Sequence, residues 1–388
     1  MKKLFLPLFL LSLKLSALAQ CNSTEEVNNM ATSCKKVYSE NYMPAKEQEK
    51  WMTDIYTALI EPAIKNTKGL RGNWHPEGKY KITPEGYTKS CIAIYLNLMG
   101  CKDHKIYNKD EAGLILVFNL NGFNGAINVC TAEEDTIIKN KTEKLYLNDK
   151  LNGNQIYHLH KQTLSDKYAN LSFYSMTNDA KYFVITKPGI PLFIPVTVRQ
   201  ALEISKNKQI RRISVTKQTL LLPDFKPETR ADYEKRMAKD FATYRSTFPD
   251  PEKFISDMIN QLEELKKGSI KGQQAMLGIQ SKFLDVLSDY LKTAPGKDLD
   301  KPAFNISLLG MSFENKSEII EMIAHDNPDA GALVILNPAY FNKTISNVAP
   351  QFIGVELRMQ DSKPVILKAF NTFEANLDFD KFQQLLVK

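Results

Sequence analysis

Residues 228–294 carry three apolar stripes at helical spacing, while the chain on either side alternates with a period of two, and this switch most constrains the fold. Tyr233, Met237, Phe241 and Tyr244 form the first stripe; Phe254, Met258, Ile259, Leu262 and Leu265 the second; Phe283, Leu287, Tyr290 and Leu291 the third. Each recurs every three to four residues and so lies on one face of a helix. Thr229 with Asp232, and Asp250 with Pro251, have the form of helix starts, and a third helix is predicted over 271–292. An all-β chain is excluded. The pattern predicts an α+β fold, antiparallel sheet or sheets with packed helices plus a three-helix segment.

The flanks supply the strands. "GLILVFNLNG" alternates and ends in Asn121-Gly122, a hairpin signal, with "AINVC" as the return strand beyond Gly125. "EKLYLND", "NQIYHLHK", "ALVIL", "FIGVELRM" and "PVILKAF" read as further strands. "KYFVITKPGIPLFIPVT" reads as two strands across Lys187-Pro188-Gly189, leading to a helix that Thr197 caps with Gln200 in the capping-box position. Pro191 and Pro195 share parity, which places that strand at a sheet edge. Helices are predicted in "PAKEQEKWMTDIYTALIEPAI", near 317–324, in "DFDKFQQLLV", and across "TPEGYTKSCIAIYLNLMG", where Thr83 and Pro84 form a start and Gly100 an end. The expected order is an N-terminal arm at 20–45, an α+β domain at 46–206, a linker at 207–227, the helices at 228–294, and an α+β segment at 303–388 that stands alone or completes the first sheet.

Lys2 and Lys3, the apolar run "LFLPLFLLSL", and Ala17 and Ala19 form an export signal over residues 1–19. Cleavage after Ala19 would leave Gln20 first. A lipid anchor at Cys21 is disfavoured, because Gln20 is not the small residue that a lipidation signal wants before its cysteine. No later run is long enough to cross a bilayer. The expected location is therefore exported, periplasmic or extracellular, where disulfides persist. The five cysteines suggest Cys101 with Cys130 and Cys21 with Cys34. Cys91 is expected to be reduced and buried, since ten helical residues put it about 15 Å from Cys101.

Discounting the three lysines of the export segment, 48 basic residues face 44 acidic ones. That dispersed balance argues against a nucleic-acid partner, and "KQIRR" at 208–212 reads as a solvated loop or strand edge rather than a phosphate site. No metalloprotease, nucleophile-elbow, phosphate-loop, dinucleotide or EF-hand motif is present in the sequence. Three weaker patterns remain. His158 and His160 sit two apart on a predicted strand, so both imidazoles would share a face and offer two of the three protein ligands that a catalytic zinc needs. The loop "RGNWHPEGKY" gathers Trp74, His75, Glu77 and Tyr80, an aromatic surface among polar groups that suits a sugar or peptide. "HDNPDAG", with His325, Asp326 and Asp329, lacks the regular oxygen spacing of a calcium loop and reads as a helix-ending turn.

The stretch "PLFIPVTVRQALE" resembles a hairpin-to-helix segment of uncharacterised exported bacterial proteins, in which a "PVTR" run precedes the helix. Here Val198 interrupts the Thr-Arg pair. The resemblance implies export and a hairpin followed by a helix. The expectation from the whole sequence is an exported, non-enzymatic binding or cell-envelope interaction protein. Its partner would be a protein, peptide or glycan, its cofactors none, and its helical segment a partner surface. The alternative is a secreted or periplasmic hydrolase, metal-assisted through His75, His158 and His160.

Overall fold

The computed structural model describes residues 21–386 apart from 83–85, 124–126, 140, 160–172, 177–179, 311 and 325–330. The fold is α+β. Two units divide it: residues 1–127, 160–194 and 336–388 form unit 1, and 128–159 with 195–335 form unit 2. Strands and helices are numbered along the chain.

Unit 1 is built on a seven-stranded sheet in the order β1-β2-β3-β4-β14-β11-β10. Its strands are β1 (Ser33–Lys36), β2 (Leu70–Ile82), β3 (Thr88–Lys102), β4 (Lys105–Leu120), β10 (Phe173–Met176), β11 (Ala180–Thr186) and β14 (Phe352–Met359). Only β1 and β2 are parallel. The helix predicted around Cys91 is β3. Ile92, Ile94, Leu96 and Leu98 alternate onto one face and pair with a matching alternation on β4, Ile92 opposite Phe118 and Ile94 opposite Leu116. Cys91, Ala93 and Met99 are buried on the other face, so the strand is apolar on both sides and imitates a helical stripe.

Helices cover the first face. α2 (Lys46–Ile55) runs through a wide turn at Tyr56–Ile60 into α3 (Glu61–Lys65), and α10 (Pro364–Ala375) and α11 (Phe379–Leu386) follow β14; α1 (Thr24–Asn28), before β1, instead packs Val27 with Met99. Met52, Ile55, Ile366, Phe370, Phe373 and Phe382 pack on the sheet residues as one core. "PVILKAF", expected as a strand, is the start of α10. Pro364 stands in its first turn, where a missing N–H costs nothing, and Ile366, Ala369, Phe370 and Phe373 keep helical spacing.

Unit 2 holds the hairpin β6 (Thr131–Ile138) and β7 (Lys141–Asn148), then β8 (Lys150–Leu151) and β9 (Asn154–Leu159). A sheet ordered β12-β13-β9-β5 joins β9 to β13 (Ala332–Leu336), with β5 (Ile127–Val129) and β12 (Phe193–Pro195) at its ends. Two expected hairpins are therefore open. The segment "AINVC" does not return along β4, and β12 does not pair with β11. Asn121 does adopt the left-handed conformation, but its amide is buried, accepting from the Gln351 N–H and donating to the Ala349 carbonyl. It ties the end of β4 to the segment before β14 within unit 1 instead of forming a tight hairpin.

The expected linker at 207–227 lies mostly within α4 (Val198–Thr219). The Thr197 hydroxyl accepts from the Gln200 N–H, and Gln200 returns the bond to the Thr197 N–H, as the sequence suggested. α5 (Arg230–Arg236) and α6 (Ala238–Thr247) follow, Thr229 capping α5. The second and third predicted helices are one, α7 (Pro251–Thr293), which at 43 residues is about 65 Å long. Gly268, Gly272 and Gly278 have open space where a side chain would be and do not interrupt it. α8 (Gly296–Leu299) and α9 (Lys316–Ala324) complete the unit. Its main core joins Val198, Ala201 and Leu202 of α4 to Leu287 of α7, Ile156 of β9 and Leu333 of β13.

Candidate functional site

α4 buries Val198, Ala201, Leu202, Ser205, Lys208 and Gln209, a stripe at three- and four-residue spacing in which a lysine occupies a core position. Lys208 is 2% exposed, and its ammonium lies 2.6 Å from Oδ1 of Asp149, itself 7% exposed. Two backbone bonds and one from a side chain hold the Asp149 backbone where β7 gives way to β8. Its N–H donates to the Cys130 carbonyl, its carbonyl accepts from the Ile156 N–H, and the Gln155 amide donates to that same carbonyl. One turn along α4, Arg211 makes a bidentate pair with Glu134 of β6, Nε to Oε2 at 2.8 Å and Nη2 to Oε1 at 2.6 Å. The run "KQIRR" is thus helical, and its first lysine is buried. The expected solvated loop or edge is corrected.

These contacts set the proton affinities. Arg211 holds the Glu134 carboxyl below the usual carboxylate range, against the opposing effect of burial. Burial moves Asp149 the other way, above its ordinary value, and outweighs the attraction of Lys208. Cys130, buried beside them, is pushed up to about 12, by burial first and then by the charge of Asp149. Its thiol is protonated at neutral pH and is not an activated nucleophile.

Beside this cluster, unit 2 has a cleft of about 590 Å³, lined by Leu147, Asn148, Lys150, Ile204, Asn207 and Arg211 around the two carboxylates. Ile204, Asn207 and Arg211 line it from successive turns of α4. Both carboxylates are paired with cations.

The structure separates the residues expected to form sites. Trp74 lies on β2, not on a loop, and is 4% exposed, stacked on Tyr56 with ring centroids 4.1 Å apart. His75 and Glu77 point to the opposite face by strand alternation, His75 edge-on to Tyr95 and Glu77 accepting from Cys91. The side chain of Tyr80 lies outside the described residues. Trp74 is therefore part of the core, on the face opposite His75 and Glu77.

His158 is buried on β9 opposite Leu333, and a side chain on Gly331 would come within 2.4 Å of its Nε2. Both faces of this strand are covered. His160, His325, Asp326 and Asp329 lie outside the described residues. Among the described residues, no group of three or more His, Cys, Asp or Glu side chains could hold a metal ion.

The cysteine pairing also differs. Cys21 is bonded to Cys101, while Cys34, Cys91 and Cys130 are in no disulfide. The cause is the β3–β4 hairpin, whose two-residue turn at Asp103 and His104 has both residues at positive φ. That turn sets Cys101 beside the arm, where the Cys21 N–H donates to the His104 carbonyl. Cys34 lies instead against the core of unit 1, and Cys130 belongs to unit 2. Cys91 is reduced and buried, on a strand and not a helix.

Sequence reasoning missed Lys208, Asp149, Glu134 and Arg211. A signal for Lys208 existed, since continuing the 3.6-residue period from the Thr197 cap places it on the inner stripe. Nothing local pointed to its partner, 59 residues earlier. No protein-family model, no curated protein and no solved structure matches the chain.

Proposed function

We propose that the protein is an exported, non-enzymatic binding protein whose ligand occupies the cleft of unit 2 between the end of β7 and α4. The observation that carries this reading is the pair of ion pairs, one of them almost fully buried, that borders an open cleft. A buried pair is often no more stabilising than apolar residues of equal volume, so its presence at a cleft is better accounted for by positioning than by stability. Here Lys208 and Asp149 fix the β7–β8 junction against α4, and Glu134 fixes Arg211 at the cleft wall.

Export is supported by the basic-apolar-small pattern of residues 1–19 and by the Cys21–Cys101 disulfide. That bond also opposes a lipid anchor at Cys21, because one sulfur does not carry both a disulfide and a thioether. Among the described residues, no helix is long and apolar enough to cross a membrane. The hydrolase alternative is less well supported, since Cys130 is held protonated and both carboxylates are paired.

The test is a binding screen of peptides and oligosaccharides against the full chain, repeated with Asn207→Trp. Asn207 is exposed on the cleft wall, so the indole fills the space without entering the core. Ligands captured by the wild type should be lost by this variant. Equal capture by both would refute the cleft as the binding site.

A further inference from the structure

We infer that the group recognised by this cleft is an oxyanion, a carboxylate or phosphate carried on a small organic body; this rests on the reading of the cleft as a ligand site. The argument is an inventory of donors and acceptors. Arg211 has five N–H groups, and its bonds to Glu134 use Nε and one hydrogen of Nη2. Its other N–H groups, on a side chain 53% exposed, are left for a ligand. Lys150 is exposed on the rim and has no ion-pair partner among the described residues. Arg212 adds positive charge felt at Glu134.

The acceptors are already spent. Both oxygens of Glu134 are engaged by Arg211, and Asp149 is held by Lys208. Glu134 balances Arg211 and Asp149 balances Lys208, so Lys150 and Arg212 remain as surplus positive charge around the cleft. A cationic ligand would be repelled by that surplus, and a neutral sugar would leave it unanswered. A planar or tetrahedral oxyanion can take two parallel hydrogen bonds from the free edge of Arg211, the geometry in which guanidinium binds carboxylate and phosphate. Asn207, four residues before Arg211 on α4, adds an amide donor within the same wall.

The remainder of the cleft fits the rest of such a ligand. Leu147 and Ile204 add apolar surface to the lining beside the charged groups. The volume of about 590 Å³ lies within the range of small-molecule sites. The expected ligand is thus amphipathic, an acidic head at Arg211 and Lys150 and a less polar body along Leu147 and Ile204. Acidic peptides, uronic-acid oligosaccharides and phosphate esters share this chemistry.

The experiment is calorimetric titration of the full chain at low ionic strength with four probes: trigalacturonate, a tetraglutamate peptide, inorganic phosphate and neutral maltotriose. Each is repeated with Lys150→Glu and Asn207→Asp, exposed rim substitutions that leave both ion pairs in place. At least one acidic probe should bind, weaken about tenfold or more in Lys150→Glu, and weaken as salt rises. Competition by inorganic phosphate would identify a phosphate site, and its failure to compete a carboxylate site. Maltotriose binding as tightly as the acidic probes, and unaffected by Lys150→Glu, would overturn the oxyanion assignment. The cleft reading would then survive only if Asn207→Trp abolished that binding. Binding of no probe of either kind would overturn both.

Discussion

Removing one partner of the Lys208–Asp149 pair should cost far more than removing both. In Lys208→Met, the Asp149 carboxylate stays buried without its cation; in Asp149→Leu, the Lys208 ammonium is stranded at 2% exposure. Breaking a buried pair in this way costs about 3–5 kcal/mol, whereas replacing both members with apolar residues of similar volume is often neutral. The double variant Lys208→Met, Asp149→Leu should therefore recover most of the loss, with a coupling energy of at least about 3 kcal/mol. For a unit of this size, about 2–4 °C of melting temperature corresponds to each kcal/mol, so each single variant should melt roughly 10 °C below wild type. Circular dichroism melts of all four proteins at pH 7 measure the cycle. Single variants that each cost under about 1 kcal/mol, or a double variant equal to their sum, would refute the claim that these charges are desolvated and mutually dependent.

Three further outcomes follow from the structure. Non-reducing peptide mapping should recover a Cys21–Cys101 peptide, and Cys101→Ser should lower stability by roughly 4 kcal/mol for a link between residues 80 apart; a Cys101–Cys130 peptide would contradict the fold of the arm. Cys130 should resist alkylation in the native protein at pH 8, because its thiol is held near 12. Since that value is raised above the unfolded one of about 8.5, its contribution to stability is complete below that pH and is lost as pH rises towards 12; rapid native labelling at pH 8 would contradict its burial. Trp74→Ala should cost about 3–5 kcal/mol through the cavity left beside Tyr56; a loss of ligand binding with unchanged stability would restore Trp74 as a contact residue.

What the sequence conveyed was local. The capping boxes at Thr197 and Thr229, and the start at Asp250 and Pro251, depend on residues three apart and are found where expected. The α+β class followed from the switch of period. Errors arose where two periods coincide or where partners lie far apart. Tyr87, Cys91, Ile94 and Leu98 have helical spacing, yet Ile92, Ile94, Leu96 and Leu98 alternate through the same stretch, and pairing with β4 decides between them. "PVILKAF" reads as a strand because it is too short for periodicity to separate strand from helix. The strand order, with β14 between β4 and β11, and the meeting of Lys208 with Asp149 are long-range facts with no local signature. Of the site, only the burial of Lys208 had a local signal, the helical period from Thr197; its pairing with Asp149 and that of Arg211 with Glu134 had none.

Amide hydrogen exchange with and without a ligand from the binding screen tests the central claim most directly. The account predicts that slowed exchange is concentrated at the β7–β8 junction, Asn148 to Lys150, and on the α4 turns from Ile204 to Arg211. Protection centred on the middle of α7, where Leu265, Met276 and Ile279 are exposed, would contradict it and place the binding surface on the long helix instead.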